Sequence, residues 1–138
     1  MDVTLVLADA AQVVGGKLYV LGGGWTWTAP SSAGQALACV IEVGPRKVPR
    51  SLRWLARLVD EAGQIVLVPT DEGDAPAYVD GDLLIDAPPD PTDPVRIPLA
   101  LTFGPMTLPP GRKLAWELLV NGEGRDSWRV WFRTGDTV

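Results

Sequence analysis

Residues 22–30 read GGGWTWTAP, three glycines followed by tryptophans on alternate positions. Two roles fit that spacing. Gly22, Gly23 and Gly24 could hold a small ligand or carbohydrate beneath a stacking pair, Trp25 and Trp27, or they could be the bend and restart of a β-strand. A phosphate-cradling loop follows a strand and opens a helix, usually with Lys and Ser/Thr on the same turn. Here β-formers follow the glycines, so the residues favour architecture: a bulge or sheet-switching bend, with Trp25 and Trp27 continuing as strand and packing on one face.

Other residue types narrow the chemistry further. The chain has no histidine, so a serine or cysteine triad lacks its usual base. Paired carboxylates remain for acid–base work, but most acids lie in proline-containing turns and read as solvated charge. The expectation is a protein that is not an enzyme. Cys39, the only cysteine, sits in ALACVIEV and reads as an inert core thiol, since a reactive one needs exposed, electropositive surroundings. One Cys and no His exclude a soft-ligand metal site. DEGD and DGDLLID space carboxylates closely enough to suit calcium, yet neither fits an EF-hand loop; no metal and no cofactor are expected.

Binding chemistry is better represented. Arg46, Lys47, Arg50, Arg53 and Arg57 form a basic run with no acid among them. Asp71, Glu72, Asp74, Asp80, Asp82, Asp86, Asp90 and Asp93 form an acidic run with no Lys or Arg. The basic run of one copy meeting the acidic run of its neighbour would be a heterologous contact, which closes into rings or builds lattices and weakens with salt. Trp131 stands between Arg129 and Arg133, and an outward Trp flanked by Arg is the grouping enriched at interface centres. Cover by a neighbouring loop is the alternative.

The elements that must position these residues are short strands. In 138 residues, thirteen prolines and fifteen glycines punctuate the chain too often for long helices, and the length suits a single domain over residues 1–138. Leu114, Trp116, Leu118 and Val120 alternate along KLAWELLVNG, as do Trp128, Val130 and Phe132 along DSWRVWFR. Asn121-Gly122 supplies the positive-φ residues of a hairpin between them. VRIPLALTF is a strand whose Pro98 requires an edge or a bulge. SLRWLARLV, with Leu52, Trp54, Ala56 and Leu58 on one face, reads as a strand in a hairpin with IVLVP, although Leu52, Leu55 and Leu58 also keep helical spacing. QALACVIEV reads as a strand covered on both faces, and DVTLVLA and GKLYVLGG complete the N-terminal part. Eight to nine short strands with frequent turns predict an antiparallel β-sandwich.

Charge and cysteine usage bear on location and partners. A net charge of −5 argues against broad nucleic-acid binding, which needs cationic surface. Asp2 stands where a secretory leader carries positive charge, and no apolar run has membrane-spanning length. A single cysteine fits a reducing cytoplasm, so cytoplasmic synthesis without a signal peptide and no membrane partner are expected.

VTLVLADAAQV, then GKLYVLGGGWTWTAP, then LPPGRKLAWELLVNGE and the closing tryptophan-containing strand resemble a family of small uncharacterised proteins of actinobacterial genomes and their phages, a domain of unknown function. Its members usually carry a tyrosine shortly after the PPG turn, where Lys113-Leu114 stands here. The final pair of strands is also similar to the last hairpin of immunoglobulin-like modules. The phage link implies a structural or interaction module of the virion, a capsid decoration or tail-associated protein, whose partners are protein subunits: further copies of itself or a capsid or tail protein. The alternative is a cytoplasmic module holding a small ligand or carbohydrate on Trp25 and Trp27.

Overall fold

The computed structural model describes residues 1–45 and 50–136, and within them the alternating segments form strands. In chain order these are β1 (Asp2–Ala8), β2 (Ala10–Val14), β3 (Lys17–Leu21), β4 (Trp27–Thr28), β5 (Ser31–Ser32), β6 (Gln35–Val43) and β7 (Ser51–Asp60). They continue as β8 (Leu67–Thr70), β9 (Gly73–Pro76), β10 (Tyr78–Leu84), β11 (Val95–Phe103), β12 (Met106–Thr107), β13 (Lys113–Val120) and β14 (Arg129–Thr134). A five-stranded sheet has the order β10-β7-β13-β14-β4 and a three-stranded sheet the order β1-β6-β11. The pairs β2–β3, β8–β9 and β5–β12 stand outside them. Every pairing is antiparallel except that of β14 with β4. This is the all-β sandwich that the alternation predicts, with more strands than expected because β2, β9, β10 and the short β5 and β12 are strands too, β10 carrying acids that read as turn charge.

The core fills the space between the two sheets. Leu52, Trp54, Ala56 and Leu58 of β7 and Leu114, Trp116, Leu118 and Val120 of β13 enter it from one side. Leu37, Cys39, Ile41 and Val43 of β6, with Leu99, Leu101 and Phe103 of β11, enter from the other. Burying each large aliphatic side chain contributes roughly 1.5–3 kcal/mol. The Phe103 and Trp116 rings stack across the sandwich with centroids 3.8 Å apart. In β10, Gly81 lies opposite Trp54, and a Cβ there would come within 2.7 Å of the indole.

Several expectations hold at the level of register. β7 is a strand and not a helix: Leu52 and Leu58 face the core while Leu55 falls on the outer face. Pro98 lies in β11, an edge strand that among the described residues pairs only with β6. The turn after β13 places Asn121 at φ 52° and Gly122 at φ 79°, and the Val120 N–H donates to the Glu123 carbonyl at 2.9 Å.

Three expectations are corrected. The hairpin between β7 and IVLVP stops at one bridge, Val59 with Ile65, because β8 turns away to pair with β9 and β10 takes that edge of β7. Trp128 is in a 3-10 turn, Asp126–Trp128, not in β14. The strand expected through WTWT begins only at Trp27.

The glycines explain that last point. Gly22 and Gly24 take positive φ, 63° and 88°, which favours glycine over residues bearing a Cβ. The Asp9 N–H donates to the Leu21 and Gly22 carbonyls and the Gly24 N–H to that of Leu7. The triplet is thus the neck through which the β2–β3 hairpin returns to β1 before the chain crosses to the other sheet as β4.

Candidate functional site

Antiparallel register gathers residues distant in sequence onto the outer face of the five-stranded sheet. One row runs Tyr78, Arg57, Glu117, Arg129 across β10, β7, β13 and β14. Beside it Asp80 is opposite Leu55, which is opposite Leu119. Further along come Val59, Ala115 and Trp131, then Lys113, Arg133 and Trp27. Arg129, Trp131, Arg133, Arg53, Arg57, Asp80, Asp82 and Trp27 therefore share one surface.

Glu117 organises its centre. Its side chain is only 4% exposed although it faces away from the core, with Arg57 of β7 and Arg129 of β14 closing on its carboxylate from the two flanking strands. Arg57 donates from Nε to Glu117 Oε1 at 3.0 Å and approaches the same oxygen with Nη2 at 2.8 Å. Arg129 donates from Nε to Oε2. Two guanidiniums thus hold one carboxylate, and each is fixed in orientation by a charge-assisted bond. They line a concavity of about 380 Å³ with Leu119, Arg125 and Asp126.

The aromatic and cationic end of the face is more open. Trp27 is 61% exposed and lies against Gly135, where a Cβ would be 2.8 Å from the indole. Trp131 is half-buried, with Lys113 Nζ 5.2 Å from its ring centroid. Arg133 is exposed. Of the two arginines flanking Trp131, Arg133 alone points to solvent, since Arg129 is committed to Glu117.

Trp25 and Trp27 do not form a common platform. Trp25 packs edge-on against Phe132, centroids 5.7 Å apart, at the margin of the core, whereas Trp27 faces outward. Alternation would place both on one face only in a continuous strand, and residues 22–26 are not strand.

The two charge runs are neighbours within the chain. β7 carries Arg53 and Arg57 and pairs with β10, which carries Asp80 and Asp82. Arg53 Nε lies 3.7 Å from Asp82 Oδ1, both side chains widely exposed. Arg50 is exposed beyond the end of β7, and Asp71, Glu72 and Asp74 are exposed around the β8–β9 turn. Arg46 and Lys47 lie outside the described residues. Part of the charge polarity is therefore satisfied within one chain, which weakens it as a motive for contact between copies.

Chemistry elsewhere is sparse. Burial raises the Cys39 thiol from 9.0 to about 12. Hydrogen bonds from the Thr92 side chain and backbone lower the Asp90 carboxyl. Among the described residues no three metal-ligating side chains converge, and no helix is long and apolar enough to cross a membrane. Tyr78, Lys113 and Glu117 belong to the face but escape sequence reading, because only register places them beside Arg57, Trp131 and Arg129.

The chain matches no family model, no curated protein and no solved structure.

Proposed function

We propose that this protein is a non-enzymatic interaction module that docks another protein subunit on the outer face of its five-stranded sheet. The observation that carries the reading is the grouping of exposed Trp27 and Arg133 with Trp131 and Lys113 on adjacent strands. Trp, Tyr and Arg dominate the binding energy of protein interfaces when held rigidly, and a sheet loses little freedom on binding. With Lys113 and Arg133 at that end, the fitting partner is a protein surface carrying carboxylates. The virion setting, a capsid decoration or tail-associated protein, is supported by the resemblance of the LADAAQ and GGGWT segments alone. The absence of histidine supports the non-enzymatic part.

The test is affinity purification of the tagged chain from host cells with and without phage infection, with mass spectrometry of what accompanies it. A capsid or tail protein is expected from infected cells. Trp27→Ala with Arg133→Ala is expected to reduce its recovery at least about tenfold, a typical loss for interface anchors. Recovery that ignores these substitutions would remove the face from the interaction, and recovery of host proteins alone would remove the virion setting.

A further inference from the structure

The concavity of about 380 Å³ beside Glu117 is walled on its far side by the loop after β13, through Gly122, Gly124, Arg125 and Asp126. Three guanidiniums line it, those of Arg57, Arg125 and Arg129, in a chain of net charge −5. Glu117 uses only part of two of them. It takes Nε and Nη2 of Arg57 and Nε of Arg129, and among the described residues Arg57 Nη1 has no partner. Arg125 is held by other means: its guanidinium lies 4.9 Å from the Trp128 ring centroid, and its Nη1 donates to the Met1 carbonyl at 3.3 Å. The remaining acids are loosely placed. Asp126 Oδ1 stands 3.5 Å from Arg129 Nη1 with its side chain fully exposed, and Glu123 Oε1 stands 3.5 Å from Arg125 Nη2 with its side chain 66% exposed. Exposed pairs of this kind contribute little. One buried carboxylate thus orients two arginines, and only exposed acids compete for the donors that are left.

An apolar hollow adjoins the concavity. Leu55, Ile65, Pro76 and Tyr78 line a depression of about 210 Å³ that has the same Arg57 in its wall, and Ile65 and Tyr78 are 47% and 58% exposed. We propose that concavity and hollow together form a binding site for an amphiphilic carboxylate, whose carboxylate group enters among Arg57, Arg125 and Arg129 while its apolar body lies along the Arg57 stem against Leu55 and Tyr78. Chemistry selects this ligand at both ends. Guanidiniums pair with carboxylates through their planar N–H donors, and the chain itself already sets the Asp126 carboxylate against Arg129. The ligand takes that place and Asp126 turns out to solvent, so Asp126 is an internal competitor. A phosphate on a polar alcohol satisfies the arginines but gains nothing from the hollow, and an uncharged apolar ligand covers the hollow but leaves the arginine donors without an acceptor. The site is separate from the aromatic end at Trp27 and Arg133 and stands whether or not that end docks a partner.

The probe is phenylbutyrate, with phenylbutanol as the tail without the charge and inorganic phosphate as the charge without the tail. Titrated into the isotope-labelled protein, phenylbutyrate is expected to shift the backbone amide resonances of Gly122, Gly124 and Asp126 to saturation. The expected Kd is about 1 mM, as a ligand of about a dozen non-hydrogen atoms supports, with either half-probe at least about tenfold weaker. Asp126→Asn removes the competitor and is expected to tighten the acid at least about threefold. Arg125→Gln leaves the Glu117 pairs in place and is expected to weaken it at least about fivefold. Tyr78→Ser, at an exposed position, is expected to weaken it through the lost apolar contact. Near-ultraviolet circular dichroism confirms the fold of each variant. Binding is expected to persist in Trp27→Ala with Arg133→Ala, and its loss there would put the acid at the aromatic end and overturn the proposal. So would the absence of a saturable shift up to about 20 mM, alcohol or phosphate binding as tightly as the acid, or an affinity indifferent to both Asp126→Asn and Arg125→Gln.

Discussion

The indole Nε1 of Trp116 donates a hydrogen bond to Gln35 Oε1 at 2.8 Å, across the sandwich and with both residues buried. Gln35 begins β6 of the three-stranded sheet and Trp116 is central in β13 of the five-stranded one. Because Phe103 stacks on the same indole, one ring joins the sheets by both packing and polarity. Gln35→Met keeps the volume and removes the acceptor, leaving a buried N–H without a partner. The expected loss is about 1–3 kcal/mol in urea unfolding. In a Trp116→Phe background the same change is expected to do much less, and equal losses in both backgrounds would show that the bond contributes nothing.

Glu117 is the hidden charge on which Arg57 and Arg129 converge. Removing its charge strands two guanidiniums that are only partly wet, with side-chain exposures of 32% and 24%. Glu117→Gln is expected to destabilise by roughly 2–3 kcal/mol, below the range for a fully buried pair because water still reaches the arginines. Replacing all three by apolar residues, Glu117→Leu, Arg57→Met and Arg129→Met, is expected to fall within about 1 kcal/mol of wild type. A triple variant as damaged as Glu117→Gln would show instead that the carboxylate's own packing matters most.

The elements legible in the sequence were those set by local pattern. Alternation along Leu114–Val120 placed a strand correctly on its core face, and Asn121-Gly122 supplied the turn its φ values require. Pro98 narrowed β11 to an edge or a bulge because proline lacks the N–H a second neighbour would need, and the strand lies at an edge among the described residues. What escaped was non-local. That Arg53 and Arg57 of the basic run lie on a strand adjacent to that of Asp80 and Asp82 depends on β10, and not β8, completing the edge of β7. Alternation along β13 turns Glu117 outward, but its burial comes from Arg57 and Arg129, which only register brings beside it. Trp25 and Trp27 were misplaced for the opposite reason, since a strand rule was applied at Trp25 although the strand begins only at Trp27.

Cys39 reports on the tightness of the core between β1, β6 and β11. Its thiol is fully buried, and burial raises it from 9.0 to about 12 because a thiolate there would lose its hydration. The neutral thiol is thus favoured in the folded chain at pH values where the unfolded chain already releases its proton. The contribution to stability is complete below pH 9, and is lost as pH rises from 9.0 toward about 12, with a slope of about 1.4 kcal/mol per pH unit for one group. Lysines and tyrosines also titrate in that window, so the informative quantity is the difference between wild type and Cys39→Ala. Cys39→Ala is expected to be less stable at pH 7 by about 1 kcal/mol, from the lost apolar contact, and to close on wild type or overtake it by pH 11. Parallel stability profiles for the two proteins would place the folded thiol at its ordinary value, and rapid labelling of native protein by a thiol reagent at pH 8 would show that the core opens there.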